Sequence, residues 1–456
     1  MGPRSEAEVS AIQVVAPIAA SYDRSMSVLH SRDRILANRS KPAGSFWTLS
    51  KLSARLLLGP MGEPTEEQYQ AFVDAMFEGD PLANAVAAWM LENGVGRSMK
   101  LFDQAVKQGI GSLAEPPEAL RAFFAEVDRK PAWVDEDMLL LGQRAVQRTG
   151  YLMPYILGDI TLVGGYLTMS AMNKSLVATG ALAPGSSAKR LHETLCWWLD
   201  VTGDRGLERF APGFASTIKV RVMHSIVRLR LSKDPKWRYE EWGAPLSQAH
   251  LATTNQAFGV AYVTLARALG VRYSREEREA IMHLWRYAGF LMGVADAYNC
   301  STEREGFRLI RLSTETSPAP DEDAARLAEG YFEAELDFRR LLPERPLAQA
   351  LGGLATRLTT RTRVGTLRFL LGPGDSRALR LPSAGPFVLF PIALAGTTFA
   401  SQAVLSLVPG SRRLEALLGR RIHLGIRDLA PASTDARFTP YEHREGGERL
   451  AMRGAA

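Results

Sequence analysis

The chain has 456 residues, long enough for one large domain with appendages or for two domains. Hydrophobic residues make up 46% and charged residues 23%, which argues against wholesale disorder and against a multi-span membrane protein. The formal charge of +6 comes from interspersed basic and acidic residues with no basic patch among stacking aromatics, so no nucleic-acid partner is expected.

Residues 1–41 have mixed polarity and read as an N-terminal leader. Its apolar run follows Glu6 and Glu8 and is too interrupted for an export signal. Cys196 and Cys300 show no disulfide or metal spacing, which fits a reducing compartment. The expected location is cytoplasmic, with membrane association left open. From Phe46 onward, apolar residues recur at spacings of three and four, as in Leu120, Phe123, Phe124 and Val127, and alternating runs are scarce. The fold class is therefore mainly α, with a large helical domain over residues 42–342 and a helical extension over 343–456. The stretch STETSPAPD (residues 313–321) reads as a linker before a last core helix over 322–342.

Two features mark the extension. Positive charge is concentrated over residues 357–380, which suits an acidic partner such as a lipid headgroup layer. No charged residue then occurs between Arg380 and Arg412, and residues 387–408 are mostly apolar, about the length a bilayer needs. A packed helix and a membrane element both explain this run, since Pro391, Gly396 and Gln402 interrupt it.

Two helices carry candidate chemistry. Pro184 to Ser187 is suited to cap a helix in which Arg190, Glu193, Thr194 and Trp197 share one face. That face is either a polar site or a surface ion pair. In STIKVRVMHSIVRLRL (residues 216–231), Ser216 or Thr217 is the expected N-cap, and His224 projects from the apolar stripe with Val220 and Val227. A buried imidazole there either bonds locally or ligates a metal. Lys219, Arg221, Arg228 and Arg230 around it suit cofactor carboxylates or a solvated basic face. His283 is the reserve metal candidate, His192 points away from Thr194, and His30, His250, His423 and His443 have no supporting constellation.

Several segments occur in a recognisable order: PLANAVAAWM from Pro81, LRAFFAEVDRKPAWVD from Leu120, RLHET from Arg190, VRVMHSIVR from Val220, WGAPLSQ from Trp242 and HLWRYAGFLMG from His283. Together they resemble the latex-clearing-protein and mycophenolate-pathway oxygenase family. The resemblance implies a helical fold with a globin-like core around haem b, His224 as proximal iron ligand, and Arg190 and Thr194 on the distal side. It further implies O2 and an apolar, isoprenoid or otherwise unsaturated small molecule as reactants, with Arg221 and Arg228 as candidates for holding the cofactor. The chain departs from the rubber-cleaving pattern in having Glu193 where a lysine precedes the threonine, and in lacking any acidic residue over 160–192. Glu193 is therefore the expected general acid or base, and polyisoprene is not the expected substrate. Two competing readings are a haem-binding sensor without turnover and a peripheral membrane protein with a structural helical body.

Overall fold

A computed structural model describes residues 26–41, 44–180, 186–333 and 336–429. Among them the secondary structure is helical, with no strand, as the apolar spacing predicts. The helices are α1 (Met26–Ala37), α2 (Ser45–Leu58), α3 (Glu66–Ala75), α4 (Pro81–Asn93), α5 (Val95–Gln108), α6 (Glu118–Val127), α7 (Glu136–Gln147) and α8 (Ser170–Ala178). They continue with α9 (Ser186–Val201), α10 (Pro212–Leu231), α11 (Gln248–Gln256), α12 (Tyr262–Ala268), α13 (Arg275–Leu291), α14 (Glu303–Thr316), α15 (Glu322–Glu333), α16 (Pro346–Ala378), α17 (Phe390–Leu405) and α18 (Ser411–Leu429).

Local chemistry sets many of the helix starts. Thr65, Ser274 and Thr302 each form a reciprocal capping box with Gln68, Glu277 and Glu305. The His224 helix starts earlier than its Ser/Thr pair suggests. Pro212 occupies the first turn, where no amide donor is needed, so Ser216 and Thr217 instead return their hydroxyls to the Gly213 carbonyl at 3.3 and 2.6 Å. The expected cap of α9 at Pro184 lies outside the described residues.

Helix α10 runs through the main core, packed against α4, α9 and α13. Trp198, Trp285, Phe102, Phe123, Phe124 and Phe214 are fully buried there. Gly142 on α7 lets α13 approach closely, because a Cβ would lie 2.8 Å from the Ala280 carbonyl carbon. Two π-helical segments, Pro154–Val163 and Ala257–Ala261, touch each other beside this core. Such wide turns recur at functional sites because they displace side chains from the regular helical register.

The described part of the leader is not loose: Ile35 is buried and Arg34 pairs with Glu241. The proposed linker is shorter than its composition suggests, since α14 continues through Thr316. The last core helix ends at Glu333, followed by a 3-10 turn at Phe338–Leu341. Beyond residue 343 the chain still packs on the same body. His423 of α18 lies 5.5 Å from Trp198 between ring centroids, and Arg363 of α16 pairs with buried Asp159 at 2.8 Å. The charge over 357–380 is accordingly only partly a surface feature, for Arg363 is buried while Arg357, Arg361 and Arg377 are exposed.

Candidate functional site

His224 lies midway along α10, with part of the residue still accessible. Its Nδ1 is sealed from solvent and has no hydrogen-bond partner among the described residues. Burial, reinforced by the neighbouring Arg228 guanidinium and opposed by Asp80, pushes its pKa down to about 4. The ring is therefore neutral at pH 7, the form in which an imidazole nitrogen offers its lone pair to a metal.

The arginines one turn either side have different fates. Arg221 is buried on Asp80, donating through Nε at 2.6 Å and Nη2 at 3.1 Å, and it reaches Glu126 at 2.9 Å. Burial lowers its pKa, but the two carboxylates outweigh burial and raise it. Arg228 is equally buried but, among the described residues, meets only neutral acceptors: Asn84 Oδ1 at 2.8 Å, Ser225 Oγ at 2.9 Å and the carbonyls of Pro245 and Leu246. Burial lowers its pKa to about 10, with Asp80 opposing and Arg221 adding to the shift. The solvated basic face is thus corrected for both residues. Arg221 meets the carboxylates of Asp80 and Glu126 through Nε and Nη2, while its Nη1 is buried without a hydrogen-bond partner among the described residues.

The segments that looked like site motifs converge on this network. Gly293, at φ 84°, ends HLWRYAGFLMG beside the Asp80–Arg221 pair, and a Cβ there would lie 2.5 Å from Arg221 Nε. Gln248, the last residue of WGAPLSQ, donates to the Gly79 and Gly293 carbonyls at 3.0 and 2.9 Å. Leu246 has a left-handed φ of 49° and accepts from Arg228 through its carbonyl oxygen.

Helix α9 packs along α10, joined by Trp197 Nε1 donating to Thr217 Oγ1 at 3.0 Å. Trp197, Phe258 and Trp285 form an aromatic group with centroids 5.2 to 6.0 Å apart, and Phe258 comes from the second π segment. Two polar groups beside them are buried without partners among the described residues, the Trp285 indole N–H and both ends of the Gln256 amide. Unsatisfied polar atoms in a folded core call for a ligand or ordered water.

The rest of the α9 face is less closed. Arg190 donates to the Thr179 carbonyl at 2.7 Å, and Thr194 is exposed. Glu193 is half-buried, 4.0 Å from Lys189. Burial raises its pKa against the opposing charges of Lys189 and Arg190. No hydrogen bond or ion pair among the described residues joins Arg190, Glu193 or Thr194 to His224.

The other histidines lie in different settings. His283, the reserve candidate, accepts the Asp135 amide at Nε2 at 3.0 Å, so that lone pair is committed. His192 is buried, with Nε2 3.5 Å from Cys196 Sγ. His250 is the residue that local pattern did not single out. It is buried on α11 with Nδ1 unpartnered, and burial and Arg228 push its pKa down to about 4. No group of three or more His, Cys, Asp or Glu residues suited to a metal ion occurs among the described residues.

Residues 147–390 match the family model of the ER-bound oxygenase mpaB/B′ and rubber oxygenase catalytic domain. The chain belongs to this family. The matched region includes Arg190, Glu193, Thr194 and His224, and it crosses the boundary expected at residue 342. The chain is 26% identical over 239 residues to a rubber oxygenase of a Streptomyces species. That match covers 50% of this chain and 56% of the relative, so the chain spans only about half the relative's length. A latex clearing protein in its closed state superposes with a TM-score of 0.57 at 19% identity, covering 82% of this chain and 94% of that one. Its similarity bears out the mainly helical fold.

Proposed function

We propose that the chain is a haem b-dependent oxygenase that brings O2 to an apolar, unsaturated small molecule, with His224 as the protein ligand to iron. The observation that carries this reading is His224 itself: a neutral imidazole at the family's VRVMHSIVR position, with neither ring nitrogen hydrogen-bonded among the described residues. His283, by contrast, already uses a ring nitrogen on the Asp135 amide, and His250, whose Nδ1 is likewise unpartnered among the described residues, lies outside the VRVMHSIVR segment. When bound, haem b supplies oxygen activation.

The chain's own residues then have separable tasks. His224 holds the cofactor, and Arg228, which lacks a carboxylate partner among the described residues, adds to burial in keeping the ring neutral and can meet a cofactor carboxylate. Trp197, Phe258 and Trp285 exclude water and favour an apolar reactant. Arg190 and Thr194, on the same helix as Glu193, orient oxygen in this reading. The raised pKa of Glu193 suits it to hold and deliver a proton at its carboxyl oxygen.

Purified wild-type protein is expected to show a Soret band at one haem per chain, and His224→Ala to lose it. His283→Ala and His250→Ala are expected to retain it. Retention in the His224 variant with loss in either other variant would overturn the ligand assignment. Glu193→Gln is expected to keep haem while oxygen consumption with an unsaturated lipid falls roughly 10²–10⁴-fold, the usual contribution of a general acid or base. Unchanged turnover would return Glu193 to a surface-pair role.

A further inference from the structure

Helix α17 has its polarity reversed. Its buried stripe is Pro391, Leu394, Thr398 and Gln402, two of them polar, while Ile392, Phe399 and Val404 are exposed. Gln402 Oε1 accepts from Arg148 at 2.9 Å, and Thr398 meets the Tyr151 hydroxyl at 3.3 Å. A helix facing water on its outer side normally shows the opposite arrangement. The surrounding helices share the feature. Leu347, Leu351, Leu354 and Leu358 form one exposed stripe along α16 by their spacing, and Leu414, Leu417 and Leu418 are exposed on α18. Of the twenty large exposed hydrophobic residues among the described part of the chain, fifteen lie in residues 346–429.

Charge is partitioned in the same way. Residues 346–429 contain eleven arginines, no lysine and three acidic residues, whereas the rest of the chain has 44 basic against 46 acidic residues. The whole positive excess therefore belongs to the segment with the exposed apolar side chains. Arg357 and Arg361 on α16, and Arg413 and Arg421 on α18, are exposed near those leucines in sequence.

We propose that α16, α17 and α18 form a docking surface for an anionic lipid bilayer, with α17 lying in the interface and not crossing it. An apolar face accompanied by arginines matches the acyl boundary and headgroups of such a layer. A second copy of the chain fits less well, since pairing like faces would bring two sets of arginines together. The segment Gly385–Leu405 is apolar enough to cross a membrane, with 22% of its most apolar window buried. Its 21 residues, a 3-10 turn at Gly385–Leu389 running into α17, are also long enough, so length does not decide between lying in the interface and crossing it. Gln402 and Thr398 tie α17 to the body, and leaving would strip Arg148 of an acceptor. This inference does not depend on the haem assignment.

The test is flotation of the full chain with vesicles of phosphatidylcholine alone or mixed with phosphatidylglycerol. The protein is expected to float with the mixed vesicles and to bind pure phosphatidylcholine at least about ten-fold more weakly, with the difference shrinking at high salt. Combining Ile392→Glu with Phe399→Glu is expected to weaken binding to mixed vesicles by about ten-fold or more. Both side chains are exposed, so the double variant is expected to keep the wild-type melting temperature. Phe210→Glu, an exposed aromatic outside these helices, is expected to bind as wild type. Absence of binding to mixed vesicles, or undiminished binding by the double variant, would overturn the proposal. A dimer dispersed by the double variant, without flotation, would identify a second copy as the occupant and overturn it. Flotation appearing only after deletion of residues 1–25 would mean that the chain covers its own face, and would overturn it too.

Discussion

Arginine and leucine occupy opposite positions in the two halves of this molecule. Around α10 the arginines are inside: Arg221 sits on Asp80 and Glu126, Arg228 on carbonyls and Asn84, and aromatic and aliphatic side chains close over them. On α16 to α18 most of the arginines face out beside exposed leucines, while Gln402, Thr398 and His423 face in. The difference shows that residue type alone does not say which face of a helix is buried. A buried guanidinium is tolerated where acceptors surround it, and an outward leucine suggests an exterior that is not only water.

The comparison breaks most visibly if the buried pair is not structurally important. Asp80→Ala removes the bidentate partner of a buried guanidinium and the side-chain cap of α4. It is expected to destabilise the fold by about 3–5 kcal/mol, because an uncompensated buried charge costs more than the pair contributes. Glu126 remains as a second partner and places the effect toward the lower end. Arg357→Ala in the outer helix is expected to change stability by less than about 0.5 kcal/mol. Denaturant unfolding of both variants measures the contrast, and equal effects would show that burial does not distinguish these arginines.

The helical class and the His224 helix were legible from spacing, because a three-and-four pattern directly records a buried helical face. Partners distant in the chain were not. Asp80 caps α4 through the Ala83 amide, yet its main partner lies 141 residues away. Nothing local in VRVMHSIVR distinguishes an arginine paired with carboxylates from one held by carbonyls and an amide. His250 was overlooked for a similar reason: its burial comes from tertiary packing, and its own helix has no sharply apolar face. The apolar run at 387–408 was visible, but its reversed polarity depends on contacts with Arg148 and Tyr151, far earlier in the chain.

A smaller effect than that of Asp80→Ala is expected on the inner side of the C-terminal helices. His423 is fully buried against Trp198, with Thr149 Oγ1 3.3 Å from Nε2. Burial, with Arg420 adding to it and a backbone bond to Gly150 opposing, lowers its pKa to about 3. The unfolded chain takes up a proton at this ring near pH 6.5, whereas the folded protein resists doing so until about pH 3. Between these values the unfolded state binds more protons, so acidification lowers stability and raising the pH restores it. For this one group the loss between pH 7 and pH 5 is about 2 kcal/mol. His423→Gln removes the titration while keeping a polar side chain, so its stability is expected to fall less than that of wild type over the same interval, even if it starts lower at pH 7. Chemical denaturation at the two pH values measures this directly. Parallel losses would show that His423 is protonated in the folded protein, and hence that the contact between α18 and the core is more open to water than its burial indicates.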